Sequence, residues 1–143
     1  MALVSKAQAA WQGDLLTGSG QINLATSGLA NFSYNWKART EGENRVTTPE
    51  ELLGAAHAGC FAMALANDLS TAGFTPTSVT AQAAVSFDIA AGGITGIELT
   101  VEAHVPDITN DEFQRIATGT KSGCPVSKAL ASVAITLHAT LLS

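Results

Sequence analysis

Hydrophobic and polar residues alternate along several segments of the chain, and this spacing is typical of β-strands. Residues 8–38 predict short strands joined by tight turns at Asp14 and at several glycines. The alternation is longest from Val79 to Ile89 and from Ile97 to Val105, on either side of an Ala-Gly-Gly turn. These two segments predict a hairpin with one buried face, and a last alternating segment at 133–141 predicts a closing strand.

A long helix is predicted after the first strands. Thr48 is a suitable N-cap, Pro49 suits the first helical position, and Glu51 completes a capping box. The helix is expected to continue through the following alanine- and leucine-rich segment and to stop near Gly73. The polar stretch 39–47 before this helix predicts a loop.

A second capping box, Thr109 with Glu112, predicts another helix. Gly123-Cys124-Pro125 interrupts it, and Pro125 starts a further short helix. The order is therefore strands, long helix, hairpin, helices and strand, which indicates an α+β fold. We expect one domain over residues 1–143.

The composition restricts the kind of protein this is. The chain has 143 residues with 46% hydrophobic and only 13% charged residues, so a core or a partner subunit must hide much of its surface. Its net charge of −5 argues against a nucleic-acid partner. No uninterrupted apolar run is long enough to predict a membrane span, and the first residues do not resemble a secretion signal. We expect a cytoplasmic protein whose two cysteines stay reduced and are available for chemistry.

The two cysteines lie in different local settings. Cys60 falls in the middle of the long helix among alanines, where a cysteine is by default a small buried residue with an inert thiol. Cys124 comes directly before Pro125 at a helix start, where free N–H groups favour a thiolate. On local physics Cys124 is the better nucleophile, and Cys60 needs a cation brought in from elsewhere.

Other chemistries are less favoured. His57 lies three residues before Cys60 on the same helix face, so a Cys–His pair is conceivable, but no third orienting group is evident. The candidate ligands of a zinc site are His57, Cys60, Cys124 and either His104 or His138. Their spacing in the sequence forms no dense ligand cluster, which argues against zinc. We expect neither a metal nor a cofactor.

Four motifs together resemble a known family. They are W-x-G-D at 11–14, R-T-E-G-E at 39–43, T-P-E-E-L-L-G-A-A-H-A-G-C-F at 48–61 and G-C-P-V-S-K-A-L at 123–130. The chain resembles the OsmC branch of the OsmC/Ohr hydroperoxide reductases over essentially its whole length. The resemblance implies an OsmC-like fold of antiparallel sheets around a long central helix, in an intertwined homodimer.

The same resemblance implies a function and a set of roles. The family's thiol peroxidases reduce organic hydroperoxides preferentially, and a dihydrolipoyl-type dithiol then reduces the enzyme. Cys60 is implied as the cysteine that attacks peroxide, and Cys124 as the resolving cysteine. Arg39 is implied as the partner of the thiolate, with Glu50 orienting it. Because the loop before Glu50 is slightly long, Arg45 is a second candidate for the role of Arg39.

Helix geometry suggests how such a site is assembled. Glu50 and Cys60 are ten residues apart, which is about 15 Å along a straight helix, so an arginine bound to Glu50 does not easily reach Cys60 of the same helix. If two copies of the helix cross antiparallel near residue 55, residue 50 of one lies beside residue 60 of the other. Small residues occupy that crossing: Gly54, Ala55, Ala56, Ala58 and Gly59.

We therefore expect a homodimer whose two sites are each built from both chains. A bend of the helix at Gly54 is the alternative explanation. In a different functional class, the same fold would serve as a non-catalytic domain that binds a lipid-like ligand in an apolar cleft.

Overall fold

The computed structural model describes residues 1–142, which form two compact units. The first unit spans Met1–Leu52, and the second begins at Leu53. The long helix α2 (Pro49–Thr71) starts in the first unit and continues in the second. The expectation of one domain over 1–143 stays a prediction.

The first unit contains a small antiparallel sheet, as the alternation in residues 8–38 predicted. Its strands pair in chain order: β1 (Gln8–Gln12), β2 (Ser19–Asn23) and β3 (Asn31–Tyr34). The first two strands pair from Gln8 opposite Asn23 to Gln12 opposite Ser19.

A short helix follows this sheet, so the loop prediction for 39–47 is wrong at its first residues. Helix α1 covers Trp36–Glu41. The side chain of Asn35 caps it by accepting the N–H of Ala38 at 2.7 Å, and Gly42 ends it with a φ of +81°. A helix of six residues is too short to leave a periodic signal, which is why the pattern did not predict it. Arg39 therefore lies on a helix rather than in a loop.

Helix α2 begins and ends where the sequence predicted. The N–H of Glu51 donates to the Thr48 hydroxyl at 3.0 Å, which is half of the expected capping box. The other half is replaced, because the Glu51 carboxylate accepts the hydroxyl of Thr47 instead. At the other end Gly73 takes a φ of +96°, which only glycine adopts without strain.

The second unit contains a mixed sheet. Strands β4 (Ser78–Asp88) and β5 (Gly93–His104) form the predicted hairpin, with a register shift between Ser86 and Phe87. Ile89, expected on the buried face of this hairpin, lies past the end of β4 and is 59% exposed.

The third strand of this sheet corrects the expectation of antiparallel sheets. Strand β6 (Ile135–Leu142) pairs parallel to β5. Parallel neighbours need a crossover connection, and helices α3 (Asn110–Gly123) and α4 (Pro125–Ala129) supply it. Alternation predicts that a segment is a strand but carries no information on its direction.

One face of α2 packs in the core of the second unit. Phe61, Leu65 and Leu69 recur every four residues and are fully buried. They meet residues of β5 and α3, including Leu99, Val101, Ala103, Phe113 and Ala117. By length and mean hydropathy (1.2) α2 would also pass as a membrane span, but core helices of soluble proteins pass the same test. Of the apolar window of α2, 28% is buried, and these three side chains belong to that part.

The opposite face of α2 is exposed: its first half carries small residues, and Met63, Asn67 and Ser70 follow. Ala55, Ala56, Gly59 and Met63 are exposed, with Met63 at 77%. Gly54 is different, because it is buried against β4, where an added Cβ would lie 2.9 Å from the Ala83 carbonyl oxygen. The expectation that Gly54 belongs to a free crossing face is therefore wrong.

Candidate functional site

The structure brings the two cysteines together. Cys60, on α2, and Cys124, between α3 and α4, are 64 residues apart in sequence, and their Sγ atoms are 3.2 Å apart. Both are free thiols. A disulfide requires about 2.05 Å between the sulfurs, so small side-chain movements would form one.

Two helix ends hold Cys124 in place. Its N–H donates to the Thr120 carbonyl at 2.9 Å, and its own carbonyl accepts the N–H of Lys128 at 3.0 Å. Cys124 thus caps the end of α3 and the start of α4, and Pro125 at the first position of α4 enforces the break. The Thr120 hydroxyl also donates to Asp68 at 2.6 Å, which joins α3 to α2 close to the cysteines.

The two thiols differ in acidity. Burial raises the pKa of Cys60, the backbone of Val126 lowers it in part, and the neighbouring Cys124 raises it further. Burial also raises the pKa of Cys124, but the backbone N–H of Ser127, the thiol of Cys60 and the Ser127 hydroxyl outweigh it and lower that pKa below its ordinary value. Within one chain, therefore, Cys124 takes the negative charge first, as its place at a helix start suggested.

The more acidic of the two thiols is the less exposed one. Cys124 is fully buried, whereas Cys60 is partly exposed. Cys60 borders an open groove of about 600 Å³, whose other lining residues are Met63, Ala64, Asn67, Asp68, Gly123 and Pro125. A substrate in this groove reaches the sulfur of Cys60 before that of Cys124.

In the first unit, Arg39 and Glu50 form a two-pronged ion pair. The Arg39 Nε lies 3.0 and 3.2 Å from the two carboxylate oxygens of Glu50, and Nη2 lies 2.6 Å from Oε1. Glu50 is 6% exposed, while the Arg39 side chain is 30% exposed. The buried carboxylate therefore fixes the guanidinium, part of which remains exposed to solvent.

Arg45, the second candidate, lies elsewhere in the first unit. It is exposed, has a φ of +64°, and borders a polar groove together with Glu43 and Glu51. The carboxylate of Glu50 is paired with Arg39 and not with Arg45.

Arg39 also borders an apolar groove of about 240 Å³ within the first unit. The aromatic rings of Trp11 and Tyr34 are 5.3 Å apart and inclined at 60°. The remaining lining residues are Leu15, Asn35, Trp36 and Pro49. This groove offers an apolar wall beside a positive charge.

His57 and Ser127 form a contact that the sequence did not predict. His57 is fully buried, and its Nε2 lies 2.7 Å from the Ser127 hydroxyl instead of bonding to Cys60. Ser127 falls three residues after Cys124 in the motif G-C-P-V-S. This spacing was the sequence signal that could have marked Ser127 as part of the site. Within residues 1–142, the histidine, cysteine and acidic side chains form no group of three that could hold a metal ion.

Comparisons with known proteins match this arrangement to one family. A family model described as OsmC-like protein matches residues 42–138. The chain is 46% identical to the peroxiredoxin OsmC of Escherichia coli K12, over 91% of this chain and 92% of that protein. Its fold is similar to that of an OsmC-like protein from Mycoplasma pneumoniae (TM-score 0.73, 20% identity, all of both chains). An organic hydroperoxide resistance protein from Elizabethkingia anophelis is equally similar (TM-score 0.73, 24% identity, 99% of this chain and all of that one). The chain therefore belongs to the OsmC family.

Proposed function

We propose that this protein is a two-cysteine peroxidase that reduces organic hydroperoxides to alcohols. The identity to a peroxiredoxin over most of the chain confirms the prediction of a peroxidase. The observation that carries the two-cysteine mechanism is the pair of sulfurs 3.2 Å apart, one open to a groove and the other buried.

The first step is attack by Cys60 on the peroxide. The Cys60 thiolate bonds to the outer oxygen, the O–O bond breaks, and the alkoxide takes a proton and leaves as an alcohol. The sulfur is oxidised by two electrons to a sulfenic acid, and the peroxide is reduced. Because burial raises the pKa of Cys60, the attacking thiolate needs a positive charge beside it. Arg39 is suited to this role, since its charge is permanent and Glu50 fixes its orientation.

The second and third steps use Cys124 and an external reductant. The Cys124 thiolate attacks the sulfenic sulfur, the S–O bond breaks, and hydroxide leaves as water after protonation. The resulting Cys60–Cys124 disulfide is reopened by thiol–disulfide exchange with a dithiol, for which we propose a dihydrolipoyl-type compound. The steps take place in the cytoplasm, where such reductants are maintained.

We also propose that Arg39 and Glu50 of one chain act on Cys60 of a second copy. Glu50 and Cys60 lie ten positions apart on α2, which corresponds to about 15 Å of helix rise. The exposed face of small residues on α2 lets a second α2 approach closely, and an antiparallel crossing there places residue 50 beside residue 60 of the other chain.

Mixing inactive subunits tests this shared site. Cys60→Ser and Glu50→Ala chains are unfolded and refolded together, and activity is compared with each variant refolded alone. A shared site restores one of the two sites in every mixed dimer. If subunits demonstrably exchange and no activity returns, each site is built within one chain.

A bulky residue on the exposed face tests the crossing itself. Nothing lies within 4 Å of a Cβ at Gly59, so the single chain has room for a side chain there. We expect Gly59→Trp to dissociate the dimer in analytical ultracentrifugation, with Lys37→Trp, at an exposed position on α1, as the matched control. A Gly59→Trp dimer of unchanged affinity would place the interface elsewhere.

The apolar groove beside Arg39 favours organic over inorganic peroxide. Its aromatic walls would bury the hydrocarbon part of a substrate, while hydrogen peroxide has no such part. In a coupled assay with a dithiol, kcat/KM for cumene hydroperoxide is expected to exceed that for hydrogen peroxide by at least tenfold. Equal kcat/KM values for the two peroxides would contradict the role proposed for the groove in substrate preference. No turnover of either peroxide would overturn the proposed function.

A further inference from the structure

The mechanism above leaves one buried titratable side chain unused. His57 is fully buried, and its Nε2 lies 2.7 Å from the hydroxyl of Ser127, which is itself 5% exposed. The other ring nitrogen, Nδ1, has no hydrogen-bond partner in the described part of the chain. Burial lowers the pKa of His57, so the ring is neutral at physiological pH and carries a single N–H.

The position of that N–H follows from the cost of burying polar groups. A buried N–H without a partner is rarer in proteins than a buried acceptor without one. The proton therefore belongs on Nε2, where it donates to the Ser127 oxygen, and the unpartnered Nδ1 is an acceptor. In this tautomer the Ser127 hydroxyl hydrogen is not used by His57 and is free to donate to another group.

The candidate acceptor for that hydroxyl is the thiolate of Cys124. Ser127 lies three residues after Cys124, in the first turn of α4, and both side chains are buried. The Ser127 hydroxyl is also among the groups that lower the pKa of Cys124. Donation from a hydroxyl to a thiolate favours the charged form of the thiol.

We propose that His57 and Ser127 are positioning residues for disulfide formation: the His57 Nε2–H orients the Ser127 hydroxyl so that it donates to the Cys124 thiolate. The proposal rests on the proposed two-cysteine mechanism and assigns residues to its second step. In that step the Cys124 sulfur forms the S–S bond while the S–O bond of the Cys60 sulfenic acid breaks, and the hydroxide leaves as water. These two hydrogen bonds, from His57 to Ser127 and from Ser127 to Cys124, are called the relay below. The relay keeps the Cys124 sulfur ionised and directed at Cys60 until the S–S bond forms.

Titration of Cys124 tests the relay without any peroxide. In a Cys60→Ser background, the thiolate absorbance near 240 nm is followed against pH. Ser127→Ala is expected to raise the pKa of Cys124, with about a tenfold loss of thiolate at pH 7 for each unit of increase. Ser127→Thr keeps the hydroxyl and is expected to retain the low pKa. An unchanged pKa in Ser127→Ala overturns the proposal.

Substitutions at His57 separate hydrogen bonding from packing. Gln places an N–H near the position of the histidine Nε2, whereas Leu has a similar volume and no donor. We expect His57→Gln to keep most of the lowering of the Cys124 pKa and His57→Leu to lose it. If His57→Leu titrates like the parent, His57 only fills space and the proposal fails. If His57→Leu does not fold, as judged by circular dichroism, the comparison of Ser127→Ala with Ser127→Thr decides whether the relay exists.

Rapid kinetics place the effect in the second step. With one equivalent of cumene hydroperoxide, loss of the Cys60 thiolate reports the first step, and disulfide appearance reports the second. Because a more basic thiolate is also a better nucleophile, a tenfold loss of Cys124 thiolate is expected to slow disulfide formation only about three- to fourfold in Ser127→Ala. Slowing of the first step instead would contradict the assignment. If no peroxide is consumed, the proposed function fails, while the titration still decides whether the relay exists.

Discussion

Oxidation of the cysteine pair is expected to stabilise the folded chain by about 4 kcal/mol. A Cys60–Cys124 bond closes a loop of 64 residues, and the loss of chain entropy in the unfolded state for a loop of that length corresponds to about 4 kcal/mol at 25 °C. The full gain requires that the bond form without strain in the native state. Because the sulfurs already lie 3.2 Å apart, we expect the bond to form with only small side-chain movements.

Urea unfolding of the reduced and the oxidised protein measures this gain. With a denaturant dependence of about 2 kcal/mol per molar urea, the midpoint is expected to rise by about 2 M on oxidation. Both samples are kept at the same protein concentration, because association also shifts the midpoint. Cys124→Ser, treated with the same oxidant, is the matched control and is expected to show no such rise.

An unchanged or lower midpoint in the oxidised protein would refute this reasoning. It would mean that the bond strains the packing of α2 against the α3–α4 junction and offsets the entropic gain. Cys124 would then be a poor candidate for the resolving cysteine, despite its position.

Three further predictions concern single substitutions. Cys60→Ser should abolish peroxide reduction, whereas Cys124→Ser should complete one turnover and then stall, with over-oxidation of Cys60 visible by mass spectrometry. Arg39→Ala should raise the pKa of the Cys60 thiol, measured by thiolate absorbance in the Cys124→Ser background, and Arg45→Ala should leave that pKa unchanged. Gly54→Ala should lower the free energy of unfolding by about 1–3 kcal/mol in urea, because its Cβ would meet a backbone carbonyl of β4 at 2.9 Å, outweighing about 1 kcal/mol of gained helix propensity.

Each of these predictions has a contradicting outcome. Single-turnover activity that survives in Cys60→Ser and is lost in Cys124→Ser would make Cys124 the attacking thiol. A rise in the pKa of Cys60 in Arg45→Ala but not in Arg39→Ala would make Arg45 the cation that stabilises the Cys60 thiolate. A more stable Gly54→Ala would show that α2 can shift away from β4 at little cost.

The elements with strong local signals could be predicted from the sequence. Thr48 and Pro49 mark the start of α2 and Gly73 its end, because capping and the left-handed backbone of glycine are local effects. The β4–β5 hairpin follows from alternation on both sides of a glycine turn. Helix α1 was missed because six residues held by the Asn35 cap leave no periodic pattern.

The site depends on contacts between distant residues, which local patterns do not encode. Local physics favoured Cys124 as the thiolate, and the direction of its pKa in the structure agrees. It could not show that Cys124 is buried beside Cys60, 64 residues away, whereas the resemblance to a family implied the pair. The contact between His57 and Ser127 spans 70 residues, and helical spacing pointed instead to Cys60 as the neighbour of His57.

Counting thiols after stoichiometric oxidation tests the central claim most directly. Fully reduced protein is mixed with one equivalent of cumene hydroperoxide per chain, residual peroxide is measured, and free thiols are titrated under denaturing conditions. The account predicts that the peroxide disappears, that two thiols per chain are lost, and that peptide mapping finds Cys60 bound to Cys124. If the hydroperoxide persists and both thiols remain titratable, the protein is not a two-cysteine peroxidase, and its apolar groove would then serve a non-catalytic binding role.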